Sequence, residues 1–521
     1  MPRAENRVEV LARARAALRA PGAPGAPSEG HAAEPGDSAP ILARGRGDAR
    51  GVPVTWTRAY DGAGRVVDTA VGALGHASGF DGERGWRVDE TGMLGPLELG
   101  DLEELIVVTA VFSGAWCREG GPVTVLDAVI PDSARVWLSL RAAGGLRRFR
   151  LAVDARTGLA SRLERAGRDD AALELGDYRP GPSGLVPHLL VWREGWLTDT
   201  LRVEALGPAP GPVDFGPASA APADTAFDLA AALEQRSSRT RLPLVRASID
   251  GHDAGWFALD TGASACAIEA AVAARLGLPE LGRRFVRTAD GAAGAPYRRA
   301  GALRVGAATL RAPLLLELEL QPFARAAGIA LGGVLGYDLF MRAVVELGGP
   351  SGIAIAPPGA AAGEAGDDWL PLRFEDGLPV VAARYPGPDG PREGLFAIDT
   401  GSAIAVTITA GAAPSFALRG GARAALRGAG GAVSATAASL PWLEFAGHRL
   451  EDVSVLAARP GAGALGEPEP AAVVGLIGMG LLRHFAVTFD YPRRRLRARP
   501  LTADTAGSSR GAGRAPRPGP R

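Results

Sequence analysis

Apolar and polar residues alternate in short runs along much of the chain. Val52-Pro53-Val54-Thr55-Trp56-Thr57, Arg135-Val136-Trp137-Leu138-Ser139-Leu140 and Arg148-Phe149-Arg150-Leu151-Ala152-Val153 repeat with a period of two. That period marks half-buried antiparallel strands. Turn signals such as Asp61-Gly62, Asp81-Gly82 and Thr157-Gly158 separate them. Residues 41–206 are therefore expected to form a β-rich domain. Before it, Val8, Leu11 and Leu18 among many Ala and Arg predict a short amphipathic helix. The Pro-, Gly- and Ala-rich text that completes residues 1–40 predicts a flexible loop. After the β-rich domain, residues 207–235 read as a linker with a short helix over 227–234.

The strand pattern then resumes. Residues 242–251 and 255–259 predict a strand, a turn and a second strand; 265–276 has helical spacing. Residues 284–304 predict a hairpin with Asp290-Gly291 at its centre and Tyr297 on one arm. A strongly apolar strand over 314–320 and a closing segment over 332–347 follow. Strands over 379–383 and 394–398 open the next unit, and 441–457 predicts another hairpin. Residues 420–434 are glycine-rich and predict only a degenerate or mobile hairpin, and 460–470 a loose loop. The boundaries expected from this text are a unit over 236–357, a linker over 358–367, a unit over 368–502 and a disordered tail over 503–521.

Two stretches carry the candidate chemistry. Phe257-Ala258-Leu259-Asp260-Thr261-Gly262-Ala263-Ser264 is nearly copied by Phe396-Ala397-Ile398-Asp399-Thr400-Gly401-Ser402-Ala403. Each is an apolar strand that ends on a carboxylate and turns at a glycine. One Asp-Thr-Gly tripeptide is a weak signal, because a turn-capping aspartate has the same appearance. The similarity extends further, however. Gly333-Val334-Leu335-Gly336 follows the first copy and Gly475-Leu476-Ile477-Gly478 the second. Gly336 lies 76 residues after Asp260 and Gly478 lies 79 after Asp399. Equal order and near-equal span predict an internal repeat and two similar lobes.

This pattern resembles the aspartic protease superfamily, with the closest likeness to bacterial aspartyl proteases built from retropepsin-like lobes. The resemblance covers residues 236–500, including the ending Leu481-Leu482-Arg483-His484-Phe485-Ala486-Val487-Thr488-Phe489-Asp490-Tyr491. It implies two β-barrel lobes related by a pseudo-twofold axis, with Asp260 and Asp399 sharing one water below an extended cleft. Thr261, Gly262, Ser264, Thr400, Gly401 and Ser402 would support the pair. Tyr297 in the flap, with Leu335, Gly336, Ile477 and Gly478, would be candidate substrate contacts. Ser402 directly follows its glycine, whereas the first copy has Ala263 there. A hydroxyl beside a carboxylate favours its charged form, so Asp399 is expected to be the ionised member. Residues 79–89 and 151–159 resemble segments of the LolA-like lipoprotein-carrier family. That likeness implies a curved antiparallel sheet over helices, with an apolar cavity able to hold a lipid or acyl chain. Trp56, Trp86, Trp137, Trp192 and Trp196 could line such a pocket, although tryptophans more often fill a core.

Composition narrows the function. The 57 basic residues, all arginine, balance 57 acidic ones, which argues against a nucleic-acid partner held by bulk charge. Cys117 and Cys266 fall in different domains and are expected as buried free thiols. No Cys/His spacing suggests a metal and no nucleophile elbow appears, so no cofactor is expected. No apolar run reaches the length of a signal peptide or membrane span. The chain as written is expected to be cytoplasmic, or exported if its true start lies upstream. Both half-sites lie on one chain, so a monomer with a polypeptide substrate is expected. The competing reading is a peptide- or lipid-binding envelope protein that uses the lobes as a scaffold.

Overall fold

The structure is a computed structural model and describes residues 7–18, 39–129, 134–168, 170–182, 184–217, 222–288, 291–360, 368–428, 431–461, 465 and 472–501. The protein is mainly β, as the alternation predicts. The predicted loop before residue 40 and the predicted tail lie outside the described residues, apart from their inner edges. So do most of the linker predicted over 358–367 and most of the loop predicted over 460–470.

The N-terminal part is one antiparallel sheet of thirteen strands. Two meanders build it, and the first strand, Ile41–Ala49, pairs with the last, Leu197–Pro208, joining them edge to edge. Burial along Arg135–Ala142 alternates strictly, with Val136, Leu138, Leu140 and Ala142 turned inward. A helix over Leu99–Ser113 links the meanders and packs Val107, Val111 and Phe112 into the same apolar cluster as Trp56, Tyr60 and Leu138. The ring of Phe112 meets Trp56 edge-on at 6.0 Å, a favourable aromatic geometry. This helix is absent from the period-two reading. Its run Ile106-Val107-Val108-Thr109-Ala110-Val111-Phe112 is rich in β-branched residues and looks locally like a strand. Tertiary burial overrides that preference, and Gly114, at φ 74°, closes the helix in the left-handed conformation.

The N-terminal helix spans Arg7–Leu18 and buries Val10 and Ala14. Val8, expected on its apolar face, is 65 % exposed. It lies two residues from Val10, about 200° around the helix. The tryptophans do not gather round one pocket. Trp56 and Trp86 are buried, Trp192 is partly buried, Trp137 lies under the Arg150 guanidinium, and Trp196 is exposed.

The expected linker is shorter and better anchored than its composition suggests. Phe215 is buried and its carbonyl accepts a hydrogen bond from Trp86 Nε1 at 2.8 Å. Residues 225–227 form a strand paired with Ala308–Arg311, and Gln235–Ser237 pairs with Pro243–Ile249. No helix forms over 227–234. Asp228 instead donates its N–H to Ala307 O and accepts from Ala230 N, an Asx turn that ends the strand.

The C-terminal part holds an eleven-stranded sheet and an eight-stranded sheet, with a five-stranded sheet contributed by both segments. In the last of these, Val344–Gly349 pairs antiparallel with Phe485–Asp490. One apolar cluster runs through both segments, from Phe257 and Phe340 to Phe396, Phe489 and Tyr491. Residues 265–276 include a short strand, Ala267–Glu269, before the helix Ala270–Leu276. The glycine-rich stretch from 420 belongs to a regular arm, Arg419–Gly428, paired with Gly431–Phe445.

The hairpin formed by Glu280–Thr288 and Gly291–Arg299 is fastened to the N-terminal sheet. Arg283 N–H donates to Arg50 O at 2.8 Å. The Phe285 ring lies directly on Gly195, and Leu74 of the N-terminal sheet joins Ala295, Tyr297 and Leu316 in one apolar cluster.

Candidate active site

Each aspartate sits at the end of a strand clamped on both sides. His252–Leu259 pairs antiparallel with Pro243–Ile249 and parallel with Leu331–Leu335. Phe257, Ala258 and Leu259 have no exposed surface, so the backbone reaching Asp260 has little freedom to shift. Asp260 N–H donates to Leu335 O at 3.0 Å. Around the other motif, Gly390–Asp399 pairs parallel with Val473–Gly478, placing Ile398 beside Ile477 and Asp399 beside Gly478. Tyr337 N–H donates to Ala263 O at 3.0 Å, and Met479 N–H to Ser402 O at 2.7 Å. These last two bonds occupy the same place in the two copies of the motif.

The two turns face each other. Thr261 N–H donates to Thr400 Oγ1 at 2.9 Å, and Thr400 N–H to Thr261 Oγ1 at 3.0 Å. Each hydroxyl then donates across the junction, Thr261 to Ile398 O at 2.7 Å and Thr400 to Leu259 O at 2.8 Å. Both threonines are buried, so these four bonds satisfy groups that have no water to turn to.

The glycines are required by proximity. A methyl carbon at Gly262 would lie 2.6 Å from Asp399 Oδ1, and one at Gly401 would lie 2.6 Å from Asp260 Oδ1. Each turn thus presses its bare backbone against the other turn's carboxylate. Gly262 N–H donates to Asp260 Oδ1 at 2.8 Å, while Gly401 and Ser402 N–H donate to Asp399 Oδ1 at 2.9 and 3.0 Å.

Burial raises both carboxyl groups above the ordinary carboxylate range. Asp399 is pushed up to about 8, by burial first and then by the neighbouring Asp260 charge. The pair therefore holds on to a proton that separate surface carboxylates would lose. Ser402, whose hydroxyl was expected to favour a charged Asp399, meets that carboxylate through its backbone. Its backbone N–H reaches Asp399, whereas its hydroxyl accepts from Ile404 N at 3.3 Å. The hydroxyl thus supplies no bond of its own to the Asp399 charge.

Other expected site residues are placed differently. Leu335 and Ile477 are completely buried beneath the turns and hold the aspartate strands by pairing. They are not surfaces for substrate. Gly336 and Gly478 are spacers: a methyl at either would strike the carbonyls of the adjoining loop, Ala265 O at 2.6 Å and Ser402 O at 2.8 Å. Tyr297 is buried, and its hydroxyl finds no hydrogen-bond partner among the described residues. Ser264 lies against Gly377 rather than against a carboxylate.

Residues not singled out in the sequence also shape this region. Asp338 accepts the Cys266 N–H at 2.6 Å, and burial pushes its carboxyl up to about 6. Cys266 and Cys117 are both buried and unbridged. The available signal for Asp338 was a difference between the copies. Tyr337-Asp338 follows the first two-apolar-plus-glycine segment, where the second has Met479-Gly480.

Residues 245–339 match the family model described as "Aspartyl protease". The match includes Asp260, Thr261 and Gly262 and ends before Asp399. It supports a peptidase of the aspartyl protease type. No curated protein matches the chain.

Proposed function

We propose that the chain is an aspartic endopeptidase in which Asp260 and Asp399 activate one water between two retropepsin-like lobes. The observation that carries this reading is the reciprocal contact of the turns, in which each glycine backbone abuts the opposite carboxylate. Such proximity keeps one proton within the pair, since two adjacent buried carboxylates do not both ionise cheaply. Charged Asp260 takes a proton from the water as general base. The water oxygen attacks the peptide carbonyl carbon, and Asp399 donates its proton to the carbonyl oxygen. Proton return to the leaving nitrogen and cleavage of the C–N bond complete hydrolysis, with no covalent enzyme intermediate. The four threonine bonds fix the distance between the carboxyls, which positions both for the same water.

The N-terminal sheet, covered by its helix, is read as a carrier-like accessory domain. The tryptophans that could have lined a lipid pocket in it are scattered. The test is cleavage of denatured casein and a random peptide pool across mildly acid to neutral pH, with Asp260→Asn and Asp399→Asn run alongside. Loss of activity in both variants with retained fold supports the dyad. An inert wild type that is correctly folded would overturn the assignment.

A further inference from the structure

A cavity of about 180 Å³ lies where the N-terminal sheet meets the first aspartate turn. Its walls come from three places. Arg87 belongs to the N-terminal strand Gly85–Val88. Ser264 and Ala265 follow Asp260 closely in the chain, and Tyr297, Tyr337 and Arg284 complete the enclosure. The space exceeds by several-fold what one ordered water requires.

Buried polar atoms on this wall lack a hydrogen bond among the described residues. Tyr297 and Tyr337 are 3 % and 2 % exposed, and neither hydroxyl has a hydrogen-bond partner among the described residues. Each lies beside a guanidinium, Tyr297 beside that of Arg284 and Tyr337 beside that of Arg87, which stands over the Tyr337 ring at 5.1 Å. Arg87 Nε is also buried without a partner. Each carboxylate on the same wall has a partner of its own. Asp89 Oδ1 takes bonds from Thr91 N at 2.8 Å, Thr91 Oγ1 at 2.6 Å and Met93 N at 3.1 Å. Glu90 pairs with Arg50, Asp376 faces Arg165, and Asp338 takes the Cys266 N–H. Buried donors without acceptors are costly, and an acceptor-rich group entering the cavity would satisfy all three.

We infer that this cavity is a substrate subsite that binds the carboxylate of an acidic residue in the peptide, with Arg87 from the N-terminal domain as its cation. The inference rests on the peptidase reading for the identity of the peptide as substrate. Ser264 lies four residues from Asp260, a span of at most about 14 Å of extended chain. An extended peptide rises about 3.3 Å per residue, so the acidic residue falls no more than about four positions from the cut. The accessory domain thereby sets specificity, and Arg87, Tyr297 and Tyr337 act through substrate contact rather than on the dyad.

The test uses the full chain carrying Asp260→Asn and fluorescein-labelled octapeptide pools that differ only in Glu or Gln at one scanned position. The expected result is roughly tenfold or tighter binding of Glu over Gln at one position, as a charge-assisted bond predicts, lost in Arg87→Gln and reduced in Tyr337→Phe and Tyr297→Phe. The tyrosine variants remove only unpartnered hydroxyls, so their folds are expected to hold. Equal binding of Glu and Gln pools, or no binding of either, overturns the inference. A thermal shift with glutarate alone, without discrimination between the pools, also overturns it and assigns the cavity to a free small carboxylate. Glu discrimination with no cleavage by wild type would sink the peptidase reading and leave the site standing.

Discussion

Thr261 and Thr400 hold each other by exchanging backbone N–H donors for side-chain acceptors, at 2.9 and 3.0 Å, with both side chains buried. Removing one hydroxyl strands the partner's N–H in a dry environment. Thr261→Val or Thr400→Val alone should destabilise by about 1–3 kcal/mol. The double substitution should cost less than the sum, because the interaction is shared. Urea denaturation of the four proteins in a double-mutant cycle measures the coupling; strict additivity would contradict the exchange.

Gly262→Ala and Gly401→Ala each place a methyl against the opposing carboxylate. Relieving the contact must part the two carboxyls, and a misplacement near 1 Å costs about a hundredfold in rate. A loss of peptide cleavage of that order, with a largely retained circular dichroism spectrum, is expected. Unaltered cleavage would show that the turns do not need this approach.

On the proposed mechanism, a proton held by Asp399 should set an alkaline limit to peptide cleavage. Burial and the Asp260 charge push its carboxyl up to about 8, so cleavage should fall as pH rises through that value, when the general acid is lost. Asp260 is also raised, so the acid limb should lie above the ordinary carboxylate range of about 4. The expected profile is a bell displaced toward neutrality, checked by kcat/KM from acid to alkaline pH. Asp260→Asn and Asp399→Asn should each reduce kcat by about a hundredfold or more.

The same shift predicts how stability varies. A carboxyl whose folded pKa exceeds its unfolded value holds extra protons in the folded state, so stability declines as pH rises from the unfolded pKa toward the folded one. For Asp399 that window runs from about 4 to about 8. The melting temperature should therefore drop as pH rises across this window, and Asp399→Asn should flatten the decline. Differential scanning calorimetry of both proteins decides it.

Arg147 locks the N-terminal domain to the second aspartate unit. Its guanidinium pairs with Glu375, both being largely buried, and Glu375 also accepts Gly100 N–H at 3.0 Å from the start of the Leu99–Ser113 helix. Arg147→Ala leaves Glu375 buried without its cation and should cost about 3–5 kcal/mol. Glu375→Gln with Arg147→Ala should recover part of that loss. Limited proteolysis within residues 207–224 should accelerate in the single variant.

The site was more legible than its surroundings. Asp260 and Asp399 are set by local text, an apolar strand and a glycine turn, and the strands around them follow the same periodic rule. The Leu99–Ser113 helix was hidden because β-branched residues favour a strand until a sheet face covers them. Leu335 and Ile477 were candidate cleft residues only through the family resemblance of their two-apolar-plus-glycine segments. A continuous apolar run does not tell which side of a buried strand meets solvent. Tyr297 and Arg87 come together only through contact between domains, and no spacing in one chain segment encodes that.

Fastening the Glu280–Arg299 hairpin to the N-terminal sheet through Arg283, Phe285 and Leu74 makes the two jaws of the proposed cleft mechanically unequal. The first jaw shares its footing with a whole neighbouring domain. The second, Arg419–Phe445, is braced within its own sheet, by the adjoining strand His448–Ala458 and by Arg384 against Glu444. Widening to admit a chain and let its pieces go is therefore expected to fall to the second jaw, working against the first as against an anvil.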